Sequence, residues 1–236
     1  MPTLIEKAQD NIEACFDTLE TNLFLKKDIG NILRNNRMQW HLPESLKLDD
    51  FLNYLTEVSQ LRQIVLASPN YDKTYTRFAW KNLSPYRLSL SLRPRSYLSH
   101  QTAMYLHGLI KTASKTIYVN SEQSSKIREE TGLEQNMIDL AFKSKPRISK
   151  YIFTYEHWRI CCLSGLNTNN LGVEEIETAK GEKLYVTNIE RTLIDIAVRP
   201  FYSGGTSEVQ RSYIKAKGKT SVDTLVSILK KIKNSC

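Results

Sequence analysis

The sequence has little cysteine and little histidine. Its four cysteines, Cys15, Cys161, Cys162 and Cys236, include no C-x-x-C pair and stand in no metal-like spacing with histidine. That pattern argues against a disulfide framework and against a zinc site, and it fits reduced thiols in a cytoplasm. Long apolar runs are also missing, so no membrane span and no membrane partner is expected. The N-terminus, MPTLIEKAQDNIEACF, has no basic stretch followed by an apolar run, so it is not a signal peptide and a cytoplasmic location is expected. There is no P-loop, no G-x-S-x-G and no H-E-x-x-H. No cofactor, no metal and no catalytic residue is expected, and the chain does not read as an enzyme. No internal repeat or low-complexity segment is visible.

What is present is positive charge, unevenly spread. The 236 residues allow one large domain or two small ones, and a 41% hydrophobic content is enough for a core. The net charge is +8. Residues 1–25 set Lys7 against Glu6, Asp10, Glu13, Asp17 and Glu20, which gives −4. Residues 62–95 carry seven Lys/Arg against Asp72 alone, and residues 191–236 carry nine against three acids, +6 in each case. Two separate basic segments point to a polyanionic partner.

Apolar periodicity predicts an amphipathic helix from Leu4 to Leu19, a second from Lys26 to Asn36, and a third from about Leu48 to Ser59 after a turn at Pro43. RQIVLA and TYTRFAW read as two strands around the turn SPNYDK. Three helices and a hairpin, in that order, predict a winged helix-turn-helix domain over residues 1–95. Its expected DNA-binding residues are Lys47, Asn53, Thr56 and Gln60 on or beside the third helix, and Arg62, Lys73, Arg77 and Lys81 on or beside the wing. Basic side chains with tyrosines between them suit phosphate and sugar contacts. Asp49, Asp50 and Glu57 on the third helix would repel phosphate.

Pro94, between Arg93 and Arg95, marks a boundary, and residues 96–236 read as a mixed α/β domain. The whole is therefore expected to be an α+β protein. Ser99 is expected to cap a helix from His100 to His107, which Gly108 ends. His100 and His107 lie two helical turns apart, but without further ligands they read as packed or capping residues rather than a metal site. KTIYVN, YIFTY and WRICCL read as strands, and GVEEIET with LYVTN as a hairpin. Thr187 and Glu190 fit a capping box for the helix IERTLIDIAV, in which Arg191 and Asp195 are spaced to pair. Pro200, Gly204 and Gly205 end that helix, and two more follow near Ser207–Ala216 and Ser221–Ile232. In the CC pair at 161–162, one thiol is expected to face a core.

SYLSHQTAMYLHGL, KTIYVN, LEQNMIDLAF and VTNIERTLIDIAVRPFYSGGTSEV, taken together, resemble the AbiEi family of antitoxins. The resemblance runs from about Leu83 to Ile232. It implies an antitoxin of a type IV toxin–antitoxin system acting in phage defence by abortive infection. Such a protein would bind and repress its own promoter, DNA with inverted repeats. It would counter a nucleotidyltransferase-like toxin without needing a stable complex. Ser99, His100, His107, Thr187, Glu190, Arg191, Asp195, Gly204 and Gly205 would then be structural signature residues. Relatives continue with further helix past this point, so a shortened C-terminal domain is the expectation. The alternative is a nucleic-acid-processing enzyme such as a nuclease, which would need a clustered acidic metal site. The obvious acidic run, Glu174, Glu175 and Glu177, lies in a hairpin with no partner motif. A third possibility is a protein-interaction module that binds no DNA.

Overall fold

The structure is a computed structural model that describes residues 3–124, 134–136, 139, 148–179 and 181–234. Most of LEQNMIDLAF, and Cys236, lie outside them. The fold is mixed α+β. The chain forms two compact units, one of residues 1–67 and 72–88, the other of residues 68–71 and 89–236.

Unit 1 opens with α1 (Leu4–Lys7) and α2 (Gln9–Thr18), separated only by Ala8, so the expected first helix is interrupted there. A short strand follows, β1 (Leu23–Phe24), which periodicity does not announce. Then come α3 (Lys26–Asn36), α4 (Leu48–Val58), β2 (Leu61–Ala67) and β3 (Thr74–Trp80). β3 pairs antiparallel with β2 on one side and β1 on the other. The helices form because their apolar residues recur every three or four positions and meet in one core. Ile12 and Phe16 of α2, Ile29 and Leu33 of α3, and Phe51, Leu52 and Leu55 of α4 pack with Leu61, Phe78 and Trp80. Phe16 stacks on Trp80 at 4.8 Å between ring centres and meets Phe24 edge-on at 5.5 Å. α3 and α4 approach closely at Gly30, where a Cβ would lie 3.1 Å from Leu48 Cδ2.

α5 (Pro85–Leu90) spans the division between the units. Unit 2 continues with β4 (Tyr97–Leu98), α6 (His100–Leu106), β5 (Thr116–Glu122), β6 (Ile152–Tyr155), β7 (Trp158–Gly165), β8 (Val173–Glu177) and β9 (Lys183–Thr187). Its strands lie in the order β6-β7-β5-β4-β9-β8. The β7–β5 and β4–β9 pairs are parallel and the other three antiparallel. The last helices are α7 (Ile189–Val198), α8 (Thr206–Ala216) and α9 (Val222–Asn234). α7 packs against α6, α8 and α9, with Leu193 and Ile196 meeting Met104, Leu109 and Ala216. Among the described residues no helix is long and apolar enough to cross a membrane.

Candidate nucleic-acid interface

Unit 1 holds eleven Lys/Arg and eleven Asp/Glu, so the whole excess of +8 belongs to unit 2. Pairing follows this balance. Lys81 is tied to Asp17 of α2, which also accepts the Trp80 indole N–H at 2.7 Å. Those two bonds hold the Asp17 carboxyl below its ordinary range. Lys26 is tied to Asp49 of α4.

The eight expected DNA-binding residues divide accordingly. Lys47, Asn53, Gln60, Arg62 and Lys73 are exposed. Arg62 donates to the Lys81 carbonyl at 3.3 Å, and the Lys73 ammonium lies 5.1 Å from the centre of the Tyr75 ring. Lys81 is exposed but neutralised by Asp17. Two expectations need correction. Arg77 is only 7% exposed, donates to the Thr76 carbonyl at 2.9 Å and sits 5.3 Å from the Tyr75 ring centre. It lies opposite Ile64 in the ladder, on a face of the hairpin that is covered, so it packs instead of meeting phosphate. Thr56 turns its hydroxyl back onto the carbonyls of Leu52 and Asn53 on its own helix, 3.0 Å from each, a common use of threonine inside a helix.

A basic face lies on α3 instead. Lys27, Asn31, Arg34 and Asn35 are exposed opposite Ile29 and Leu33. The signal was available in KKDIGNILRNN, because the residues between the buried positions are cations and amides. α4, which is the expected third helix, instead exposes Asp49, Asp50 and Glu57. Arg37 does not add to this face: its guanidinium clamps the following turn at the carbonyls of Pro43 and Leu46.

In unit 2 the signature residues form a structural network, with three corrections. Ser99 occupies the N-cap position of α6, but its Oγ bonds His100 Nδ1 at 2.9 Å and caps nothing. The helix ends one residue earlier than expected, at Leu106. Gly108, at φ +66, completes its C-terminus as Gly108 and Leu109 donate to Tyr105 and Met104. Thr187 and Glu190 form no capping box. The N-cap of α7 is Asn188, whose Oδ1 accepts the Arg191 amide at 2.8 Å. Thr187 Oγ1 pairs with Thr192 Oγ1 at 2.8 Å. Glu190 reaches forward to Thr220 Oγ1 and the Ser221 amide, at 2.8 and 3.1 Å, joining α7 to the start of α9.

The two histidines serve separate ends of the same packing. His107 donates Nε2–H to the Thr187 carbonyl at 2.6 Å, which ties α6 to β9. His100 is buried, its ring edge-on to Tyr202 at 5.4 Å, and burial with the nearby Arg199 and Arg191 charges pulls its pKa down to about 3. Both cysteines of the CC pair are buried, where one was expected. Burial pushes Cys161 up to about 11 and Cys162 up to about 12. Among the described residues no group of three or more His, Cys, Asp or Glu is placed to hold a metal ion.

Arg191 is the hub. Its Nε donates to Asp195 at 2.9 Å, and one terminal nitrogen donates to Thr168 Oγ1 at 3.1 Å and the Leu171 carbonyl at 2.8 Å. Gly172, at φ +72, lies against it; a Cβ there would come within 2.8 Å of Arg191 Cβ. Glu122 extends the network by accepting the Thr168 and Asn170 amides at 2.8 and 3.1 Å, the Thr168 hydroxyl, and the Tyr97 hydroxyl at 3.3 Å. Gly204 and Gly205, at φ +83 and +93, carry the chain from the Pro200–Tyr202 turn into α8. Tyr97, Asn120, Glu122 and Thr168 have no sequence signal, because two strands and a loop bring them together. Comparison with protein-family models and with curated proteins returns no match for the chain.

Proposed function

We propose that the chain is a DNA-binding repressor of its own promoter and the antitoxin of an AbiEi-like type IV system that protects against phage. The repressor half rests on one observation, the order of unit 1, and the antitoxin half on the resemblance of the motifs in residues 96–209 to that family. Two helices in close contact at Gly30 and Leu48 are followed directly by an antiparallel hairpin, and β1 completes a three-stranded sheet on it. That is the order of a winged helix-turn-helix.

In this reading Asn53 and Gln60 of the α4 region face base edges. Lys47, Arg62 and Lys73, with Lys27 and Arg34 of α3, take phosphates. Five phosphate contacts give a salt slope of roughly 4.5, while the neutrality of unit 1 leaves it little attraction at longer range. Unit 2, with the positive excess, supplies longer-range attraction. Its antitoxin action is directed at a nucleotidyltransferase-like toxin.

The test is fluorescence anisotropy of the full chain on its upstream promoter DNA and on random duplex of equal length, at several salt concentrations. Tighter binding to the promoter is expected. Equal affinity for both would sink the repressor half. The antitoxin half fails separately if co-expression does not relieve growth arrest caused by a neighbouring nucleotidyltransferase-like reading frame.

A further inference from the structure

α9 carries more apolar surface than it buries. Leu225, Ile228 and Ile232 turn toward the body of unit 2. Leu225 packs on the cluster of Met104 and Leu193, Ile228 is buried, and Ile232 lines a pocket with Ile194 and Val198 of α7. Val222, Val226 and Leu229 point elsewhere and are 73%, 40% and 49% exposed. At about 100° per residue those three fall within roughly 60° of arc, about a quarter turn from the buried set. Single exposed aliphatic residues are ordinary. Three at steps of four and three make a continuous stripe on a helix surface, and a stripe of that kind marks a place of contact.

The charges beside the stripe say what it meets. Asp223 and Lys230 are both exposed and stand seven residues apart, so they share one flank of the stripe. Neither has an ion-pair or side-chain hydrogen-bond partner among the described residues. An acid in the first turn and a base toward the last suit the helix dipole. The same order makes the flank self-complementary when the helix is turned end for end. In an antiparallel pair about a two-fold axis, residue i meets residue j and j meets i. Val226 then packs on Leu229 of the second copy, and Asp223 faces Lys230, twice over by symmetry. These are the seam and flanking positions of an antiparallel two-helix coil. A parallel pair would instead set Asp223 beside Asp223 and Lys230 beside Lys230.

We propose that α9 is a self-association surface, on which two copies of the chain pair through antiparallel α9 helices, Asp223 of each facing Lys230 of the other. The chain's net charge of +8 opposes association at low salt. Three apolar residues per helix also make a small contact. The pair is therefore reversible, with a dissociation constant of roughly tens of micromolar near physiological salt. The inference goes beyond the repressor reading and does not depend on it. Where both hold, the two-fold axis of the pair matches an operator with inverted repeats.

The experiment is sedimentation velocity of the full chain, without DNA, from about 1 µM to about 1 mM at about 0.15 M salt. The average mass should rise from one chain toward two and stop there. Val226→Glu, at an exposed position, should hold the chain monomeric across the range and leave the melting temperature nearly unchanged. Lys230→Glu sets acid against Asp223 in both flanking pairs and should weaken the dimer about tenfold. Adding Asp223→Lys to Lys230→Glu reverses both partners and should restore most of the affinity. A chain that stays monomeric throughout, a dimer indifferent to Val226→Glu, or a double variant no better than Lys230→Glu alone would overturn the proposal. A monomer that binds phosphatidylglycerol vesicles, and loses them on Val226→Glu, would overturn it by giving the face to a lipid surface. Promoter binding is read separately on duplex DNA, so either reading can fail without the other.

Discussion

Arg191 and Asp195 face each other one turn apart on α7, 2.9 Å from Nε to Oδ1, with side chains 7% and 16% exposed. Burial raises the Asp195 carboxyl, against the pull of Arg191 beside it. A buried pair of this kind is far costlier to halve than to replace. Asp195→Leu alone should therefore destabilise by about 3–5 kcal/mol. The double variant Arg191→Met with Asp195→Leu should recover most of that loss. Urea denaturation of the three proteins checks it, and a double variant no better than the single would show that the pair is worth more than its charges.

The start of α7 depends on Asn188. Asn188→Ala should cost about 1 kcal/mol, the usual value for a lost N-cap. Thr187→Ala should also destabilise, through the lost hydroxyl pair, although the Thr192 hydroxyl keeps the carbonyl of residue 187 as its acceptor at 3.0 Å. Adding Thr192→Val to Thr187→Ala should cost more again, because the bond from the Thr192 hydroxyl to the carbonyl of residue 187 is then lost too, whereas adding Asn188→Ala should be additive. Thermal melts of the set separate the two mechanisms.

Glu190 gives a pH signature. Burial would raise its pKa, but bonds from its own amide, the Ser221 amide and the Thr220 hydroxyl, with the nearby His107, bring it below the ordinary value. A lowered carboxylate stabilises fully above its unfolded pKa and loses that stability as pH falls through the folded value. The stability gap between wild type and Glu190→Gln should be present at neutral pH and close below the ordinary glutamate range. Denaturant midpoints measured from neutral to acidic pH test this; a gap that widens toward acid contradicts it.

The proposed DNA surface is testable by residue class. Arg62→Ala and Arg34→Ala should weaken promoter and random DNA alike, each reducing the salt slope by roughly 0.9. Asn53→Ala should reduce promoter preference and leave random-DNA binding nearly unchanged. Arg77→Ala should lower the melting temperature and leave the salt slope as it was. An Arg77→Ala protein of unchanged stability and reduced slope would return that residue to the proposed DNA surface.

Cys161 and Cys162 should resist alkylation in the native chain at mildly alkaline pH, because the reactive form is the thiolate and both thiols are held protonated. Cys15, half-buried, should react first of the three. Peptide mass spectrometry after brief iodoacetamide treatment reads the order.

Helix positions were legible because periodicity reports which face is apolar. Ile29 with Leu33, and Phe51 with Leu55, needed no further information. Caps were less legible, because Thr187 and Asn188 are both good capping residues and only the backbone geometry decides between them. The burial of Arg77 could not be read from TYTRFAW, because Arg77 shares a strand face with Thr-flanked Tyr75 while aromatic residues stand on both faces. Asn120, Glu122 and Thr168 were invisible, because each meets its partners only after β4, β5 and the loop before β8 are assembled.

Leu98 pairs with Val119 on one side and with Val186 on the other. On the ribosome its two partners therefore emerge at very different times. A nascent chain can zip β4 to β5 early, but the other edge of β4 stays open until β9 has been synthesised. Contacts this distant in sequence are slow to form, and an open strand edge is a template for pairing with another chain. A pause in translation before β9 would thus expose a ready-made site for aggregation, and chaperone demand should be set by that interval more than by the final stability of the domain.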